Sequence, residues 1–229
     1  MKRIVCCFMV ILLLSAYASA EWLLDDNEAT GETTYAKGST IVFGHYEQDN
    51  DEEIGKEDIE WIVLANNGEQ TTLISKEALD CVSFDNAHMI STVVTWDNCE
   101  LRKWLNNDFL IDAFTPSEQN ELISTTVTAD RNPDYMGNPG NNTYDKVYLL
   151  SIDEANTYFG DINGLFCNAS DYAIGKGAAV YNGNCSWWLR TPGSKVFKTS
   201  LVSIYIDTEG VEATNPRIAV RPVITLKNK

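Results

Sequence analysis

The chain has 229 residues, with 33 acidic and 17 basic side chains, so its formal net charge at pH 7 is -16. A chain this acidic is repelled by nucleic acids and by anionic membrane surfaces, which argues against nucleic-acid binding. Its length suits one domain with a hydrophobic core.

The first 20 residues have the features of a Sec-type signal peptide. Basic Lys2 and Arg3 precede an apolar stretch from Ile4 to Leu14, and Ala18-Ser19-Ala20 supplies the small residues of a cleavage site. The apolar stretch is shorter than the roughly 20 residues of a membrane-spanning helix, and no later stretch is apolar for long enough. We therefore expect cleavage after Ala20 and a secreted mature chain, with residues 21–37 as an acidic leader and 38–229 as a single domain.

The start of this domain predicts a β-meander. Thr40–Tyr46 and Ile59–Ala65 have the alternation of strands, and the second is apolar on both faces, as in a central strand. Asn66-Asn67-Gly68 is a hairpin turn signal before a third strand, Thr71–Ser75. The acidic loop Glu47–Glu53 lacks the spacing of an EF-hand, so it is either a solvated charge run or an irregular calcium site.

The middle of the chain predicts helices with recognisable start signals. Asp97 with Glu100, Thr115 with Glu118 and Ser151 with Glu154 have the spacing of capping boxes. The second of these helices is expected to carry Leu122 and Ile123, and the third to run through Phe159. A strand, Lys146–Leu150, leads into the third helix.

The last part of the chain predicts β-structure again. A hairpin with its turn at Asp207–Gly210 and a final strand at Ile218–Leu226 are expected, with Pro222 at an edge or a bulge. Strands at both ends with helices between them indicate an α+β fold.

Four cysteines remain once the signal peptide is removed: Cys81, Cys99, Cys167 and Cys185. An even number in a secreted chain favours two disulfides, for which three connectivities are possible. We expect the pairs that are close in sequence, Cys81–Cys99 and Cys167–Cys185. A structural zinc site is the rival interpretation, but the chain has no CxxC or CxH spacing, and we expect no metal and no cofactor.

The stretch NCSWWLRTPG, residues 184–193, is the strongest candidate for ligand contacts. Alternation along a strand places Trp187 and Leu189 on one face and Trp188 and Arg190 on the other. Aromatic rings stack on sugars and cations, so we interpret Trp187 and Leu189 as core and Trp188 and Arg190, together with Arg221, as candidate binding residues. No catalytic motif of a hydrolase, metalloprotease, P-loop or dinucleotide-binding protein is present.

Five motifs occur in a fixed order: IEWIVLA, TWDNCELRKWLNNDF, DKVYLLSIDEA, WWLRTPG and AVRPVITL. From about Gly38 to Leu226 the chain resembles an uncharacterised domain family of secreted and surface proteins of anaerobic gut bacteria. Its WWLR and VRP ending also resembles formylglycine-generating and related sulfatase-modifying domains, which implies a C-type-lectin-like fold. Those enzymes use a reactive cysteine pair, but no catalytic residue is carried across to this chain.

These observations predict an exported, non-catalytic binding module for glycans or a surface protein. The alternatives are a cysteine-dependent oxidative enzyme that resembles the sulfatase modifiers, and a structural spacer domain. Free thiols in the mature chain distinguish the enzyme from the other two.

Overall fold

A computed structural model describes residues 35–86, 93–160 and 162–228, all within one unit, Glu32–Lys229. The predicted signal peptide and residues 21–34 of the predicted leader lie outside the described residues. Within the described residues, no helix is long and apolar enough to cross a membrane. Helices and mostly antiparallel sheets share one hydrophobic core, which confirms the α+β class.

Fourteen strands and five α-helices form these ranges. The strands are β1 (Thr40–Tyr46), β2 (Glu57–Asn66), β3 (Gln70–Ser75), β4 (Asp80–Cys81), β5 (Thr125–Val127), β6 (Thr143–Asp145), β7 (Val147–Tyr148), β8 (Val180–Tyr181), β9 (Asn184–Cys185), β10 (Trp187–Pro192), β11 (Lys198–Val202), β12 (Ile206–Glu212), β13 (Ala219–Val220) and β14 (Val223–Lys227). The helices are α1 (Glu100–Trp104), α2 (Leu110–Ala113), α3 (Pro116–Glu121), α4 (Ile152–Phe159) and α5 (Asp171–Gly175), with a π-helical turn (Leu105–Phe109) joining α1 to α2 and a 3-10 turn at Ile162–Leu165.

The predicted β-meander is confirmed and forms part of the first of two five-stranded sheets. The order in this sheet is β1-β2-β3-β14-β7, so β2 is internal, and Ile59, Trp61 and Val63 on it are buried. The hairpin between β2 and β3 turns where predicted, at Gly68, whose φ of +90° favours glycine.

The second sheet has the order β12-β11-β10-β13-β4, and its β10–β13 pair is parallel. The predicted final strand is not continuous: β13 belongs to this second sheet and β14 to the first. The chain crosses between the sheets at Arg221 and Pro222, where proline has no N–H for a ladder. The backbone N–H of Ser75 donates to the Pro222 carbonyl (3.0 Å), which joins the crossing to the end of β3.

The predicted hairpin near the C-terminus is present, but its turn lies elsewhere. β11 and β12 are joined through residues 203–205, and the predicted turn Asp207–Gly210 lies inside β12. The register of the pair shifts between Thr199 and Leu201, opposite Gly210, whose φ is +73°. A Cβ at Gly210 would stand 2.3 Å from the Thr199 carbonyl oxygen. The turn-type residues therefore form a β-bulge.

Two of the three predicted helix starts are confirmed, with complete capping boxes at Thr115 and Ser151. The first start was wrong: the N-cap of α1 is Cys99, whose Sγ accepts a hydrogen bond from the Arg102 backbone N–H. The α3 helix ends before Leu122, which forms an isolated bridge with Leu226 on β14. Leu122 therefore packs as part of the sheet rather than on a helix.

Candidate ligand pocket

Trp188 lies in the core, which corrects the expectation that it faces a ligand. Its side chain has 0% exposure, its Nε1 donates to the Val82 carbonyl (3.0 Å), and its ring packs edge-on against Phe84 at 5.7 Å. Trp187 and Leu189 are also fully buried, as predicted. Neither tryptophan therefore offers an exposed face for stacking on a sugar.

Arg190 is also buried, and its guanidinium is satisfied within the protein. Its Nη atoms pair with Glu154 and Asp130 and donate to the Leu149 carbonyl (2.8 Å), while its Nε donates to the Thr128 carbonyl (3.2 Å). These contacts connect β10 to the first turn of α4. Arg190 therefore has a structural role, and the expectation that it contacts the outside is corrected.

Strand β10 explains why alternation was misleading here. It lies between β11 and β13, and all of its residues are buried. A polar residue in a strand marks a solvent-exposed face only when that face is uncovered. Here the side chain of Arg190 forms an ion pair with Glu154 on α4 and is shielded from water.

Arg221, the third predicted binding residue, is the one with an unsatisfied donor. It is 2% exposed, its guanidinium lies 5.1 Å from the Trp187 ring and 5.5 Å from the Phe159 ring, and its Nε donates to the Ser75 carbonyl (3.0 Å). Its Nη1 is buried and has no hydrogen-bond partner among the described residues. An unsatisfied buried donor costs about 1–3 kcal/mol, and such an atom in a native structure calls for a water, ion or ligand.

A cavity of about 440 Å³ lies against Arg221, and we call it the Arg221 pocket. Its basic side chains are Arg221, Lys37 and Lys76, its other polar side chains include Asn168 and Asn184, and none of its described lining residues is acidic. In a chain of net charge -16 this is a locally basic site. Lys76 also forms an ion pair with Glu60, whose Oε2 lies 2.7 Å from the Lys76 Nζ, and this ion pair raises the pKa of Lys76.

The Arg221 pocket could be found only in part from the sequence. Arg221 was singled out, but Lys37, Lys76 and the aromatic residues Tyr158, Phe159 and Phe166 on the pocket wall were not. They come from the predicted leader, the end of β3, the last turn of α4 and the segment after it, and these segments are not all adjacent in the sequence. No motif spacing could bring them together.

All four cysteines that the structure describes are free thiols. Cys167 and Cys185 are neighbours: the Cys185 backbone N–H donates to the Cys167 carbonyl (2.8 Å), and each thiol shifts the pKa of the other. The Sγ of Cys81 instead contacts the carbonyls of Pro216 and Ile218, 3.2 and 3.5 Å away. Both predicted disulfides stay predictions, and the contact favours the Cys167–Cys185 pairing.

The acidic loop after β1 holds one cluster with the composition of a cation site. Carboxylate oxygens of Glu47, Asp49 and Glu57 lie within 4.8 Å of one another. Burial and the charge of Glu57 raise the pKa of Glu47. The Glu57 carboxylate already accepts the backbone N–H groups of Gln48 (2.6 Å) and Asp49 (3.2 Å), which accounts for the cluster as loop structure. Calcium binding stays a hypothesis.

Comparison with known proteins identifies a family without a described activity. No curated protein and no solved structure matches this chain. A family model described as "Domain of unknown function (DUF6273)" matches residues 69–228, from the β2–β3 turn to the end of β14. The matched range contains Arg221, Lys76 and all four cysteines of the described residues, and Lys37 lies outside it. Because the match covers well over half of the chain, we conclude that the chain belongs to the DUF6273 family.

Proposed function

We propose that the chain is an exported binding module that holds the anionic group of a ligand in the Arg221 pocket. The observation that carries the proposal is the unpartnered Nη1 of Arg221, beside a cavity with three basic and no acidic side chains among its described lining residues. A carboxylate, sulfate or phosphate group would supply the missing acceptor. Export rests on the signal-peptide features of residues 1–20, and N-terminal sequencing of the mature protein tests it.

Arginine suits this role because its planar guanidinium matches the geometry of these anions. The Trp187 and Phe159 rings and the hydrogen bond to Ser75 hold the Arg221 side chain in place. A donor that is already fixed loses little conformational entropy when it binds a ligand.

The size of the pocket favours a small ligand over a protein surface. A cavity of about 440 Å³ is within the range of small-molecule sites, whereas a stable protein interface buries about 800 Å² on each partner. Tyr158 and Phe166 add aromatic surface to the wall, and aromatic rings pack against sugars. We therefore propose an acidic sugar residue, such as a uronic acid at a glycan terminus, as the ligand.

Isothermal titration calorimetry with matched sugars tests the proposal. We expect glucuronate to bind the mature protein, glucose not to bind, and Arg221→Lys to weaken glucuronate binding at least tenfold. Arg217→Lys changes an exposed arginine outside the pocket and should leave the affinity unchanged. Acetate and inorganic sulfate distinguish a site for any anion from a site for an acidic sugar. Equal binding of glucose and glucuronate, or an unchanged affinity in Arg221→Lys, would contradict the proposal.

A second candidate is a cysteine-dependent enzyme, and the contact between Cys167 and Cys185 is the observation that favours it. It requires free thiols in the secreted protein. Mass spectrometry of the mature chain after alkylation without reduction tests this requirement, because four disulfide-bonded cysteines would rule the enzyme out.

A finer description of the fold, as C-type-lectin-like, is also a proposal. It is supported by the α+β class and by the resemblance of the WWLR and VRP ending to sulfatase-modifying domains. Superposition of an experimental structure of this chain on such domains tests it, and a different strand order would contradict it.

A further inference from the structure

Cys167 and Cys185 form the wall between two cavities. Cys167 lines the Arg221 pocket, and Cys185 lines a neighbouring cavity that is also about 440 Å³. Phe166 and Asn184 line both cavities. A small molecule in either cavity would therefore lie against one member of a pair of neighbouring thiols.

The two thiols differ in their electrostatic surroundings. Burial disfavours a thiolate at Cys167, but the hydrogen bond from Cys185 and the positive charge of Arg221 outweigh burial and lower the pKa of Cys167. The same hydrogen bond, together with burial, raises the pKa of Cys185. Cys167 is therefore the more acidic thiol of the pair, and Cys185 stabilises a thiolate formed there.

The other two cysteines provide an internal comparison. Burial raises the pKa of Cys81 to about 11 and the pKa of Cys99 to about 12. Cys81 is 7% exposed and Cys167 is 2% exposed, so exposure alone would favour reaction at Cys81. A preference for Cys167 would have to come from its charge environment.

We propose that Cys167 and Cys185 are a redox-active pair that is oxidised by low-molecular-weight disulfides carrying carboxylates. The Cys167 thiolate attacks one sulfur of the disulfide and forms a mixed disulfide, and the first half of the reagent leaves as a thiolate. Cys185 then loses its proton and attacks the Cys167 sulfur, which releases the second half. Two protein thiols are oxidised, one disulfide is reduced to two thiols, and the protein protons pass to the leaving groups.

The Arg221 pocket favours a negatively charged reagent. Arg221, Lys37 and Lys76 line it together with Cys167, so a carboxylate on the disulfide would be attracted to the site where the sulfur must react. The same basic side chains would repel a cationic disulfide.

The expected preference for Cys167 follows from thiolate fractions. At pH 7 a thiol with a pKa of about 11, such as Cys81, is ionised in roughly one molecule in 10⁴, whereas the lowered pKa of Cys167 gives that thiol a larger ionised fraction. The lower intrinsic nucleophilicity of the more acidic thiol offsets this advantage only in part, because the Brønsted coefficient is about 0.4–0.5. We expect Cys167 to react faster than Cys81.

Oxidation would also change the charge next to Arg221. A Cys167–Cys185 disulfide cannot ionise, so no thiolate at Cys167 could compete with the anionic group of a ligand for Arg221. This consequence rests on the proposed function, and it predicts tighter glucuronate binding by the oxidised protein than by the reduced protein.

The test uses the mature protein, reduced and then desalted under native conditions. Glutathione disulfide carries carboxylates. Cystamine has the same reactive disulfide group but is positively charged. Peptide mass spectrometry over time should find a Cys167–Cys185 disulfide that forms faster with glutathione disulfide, while Cys81 and Cys99 stay reduced. Cys185→Ser should accumulate glutathione on Cys167, and Cys167→Ser should accumulate none on Cys185.

Three results would overturn the proposal: Cys81 modified as fast as Cys167, no mixed disulfide in Cys185→Ser, or cystamine reacting as fast as glutathione disulfide. If a serine variant does not fold, the rates of Cys167 and Cys81 in the unaltered protein still decide. Calorimetry with glucuronate on Cys167→Ser/Cys185→Ser measures anion binding without any thiol chemistry at the pair. Failure of the proposed function is therefore separable from failure of the redox pair.

Discussion

Replacement of Trp188 by alanine is the sharpest test of the corrected role of this residue. The side chain is fully buried, and its Nε1 donates to the Val82 carbonyl. Truncation of a buried tryptophan costs about 3–5 kcal/mol through lost burial and the cavity that remains, and the lost hydrogen bond adds about 1 kcal/mol. We therefore expect Trp188→Ala to lower the free energy of unfolding by about 5 kcal/mol.

Urea denaturation followed by far-UV circular dichroism measures this change. With a slope of roughly 2–3 kcal/mol per molar urea, the midpoint should fall by about 2 M. Tyr181→Ala is the matched control, because Tyr181 is an aromatic residue with 76% exposure and its loss should change stability by less than about 0.5 kcal/mol. A Trp188→Ala protein with unchanged stability and impaired ligand binding would refute the reasoning and restore Trp188 as a binding residue.

Three further predictions concern stability. Ser151→Ala removes the N-cap of α4 and should cost about 1 kcal/mol in urea denaturation; an effect smaller than that of Thr115→Ala at the exposed capping box would contradict the importance of the buried cap. Arg190→Met leaves the Glu154 carboxylate without its cationic partner and should cost about 3 kcal/mol, whereas a neutral result would show that the ion pair contributes nothing. Burial would raise the pKa of Asp97, but hydrogen bonds from Thr95 and Asn141 outweigh it and lower the pKa. The stability that Asp97 contributes is therefore present above its unfolded pKa of about 3.9 and is lost as pH falls through the lower folded value. Asp97→Ala should cost about 1 kcal/mol at pH 7, and the cost should shrink as pH falls below about 3.9. A cost that stays constant with pH would contradict this prediction.

The parts of the fold that could be predicted depend on local sequence. The β1 strand, the hairpin at Gly68 and the capping boxes at Thr115 and Ser151 are specified by residues within a few positions of one another. Turn chemistry and capping act over this range. These features could therefore be predicted without knowledge of the rest of the chain.

The errors arose where tertiary contacts decide. The turn-type residues at Asp207–Gly210 form a bulge because β12 has to follow β11. The strand predicted at Ile218–Leu226 divides because its two halves find partners in different sheets. The face of β10 that carries Arg190 is polar, but α4 covers it. The alternation of residues along a strand does not show whether another element covers a face. In each case the deciding partner is distant in sequence.

The candidate site also depends on contacts between residues that are distant in sequence. Arg221 was selected for its position in the VRP motif, but its importance depends on two rings, a carbonyl from β3 and a cavity built from separate segments. The contact between Cys167 and Cys185 was expected from their spacing. Their unequal surroundings depend on Arg221, which lies much further along the chain.

The central claim is that Arg221, and not Arg190, receives the anionic group of the ligand. The arginine Nε–Hε signals in a ¹H–¹⁵N spectrum of the protein test it directly, because Arg221 and Arg190, both buried, serve as probe and control in one sample. Titration with glucuronate should move the Arg221 signal saturably and leave the Arg190 signal in place, since Arg190 is already paired with Glu154 and Asp130. A shift at Arg190 without one at Arg221, or no shift at either, would contradict the account.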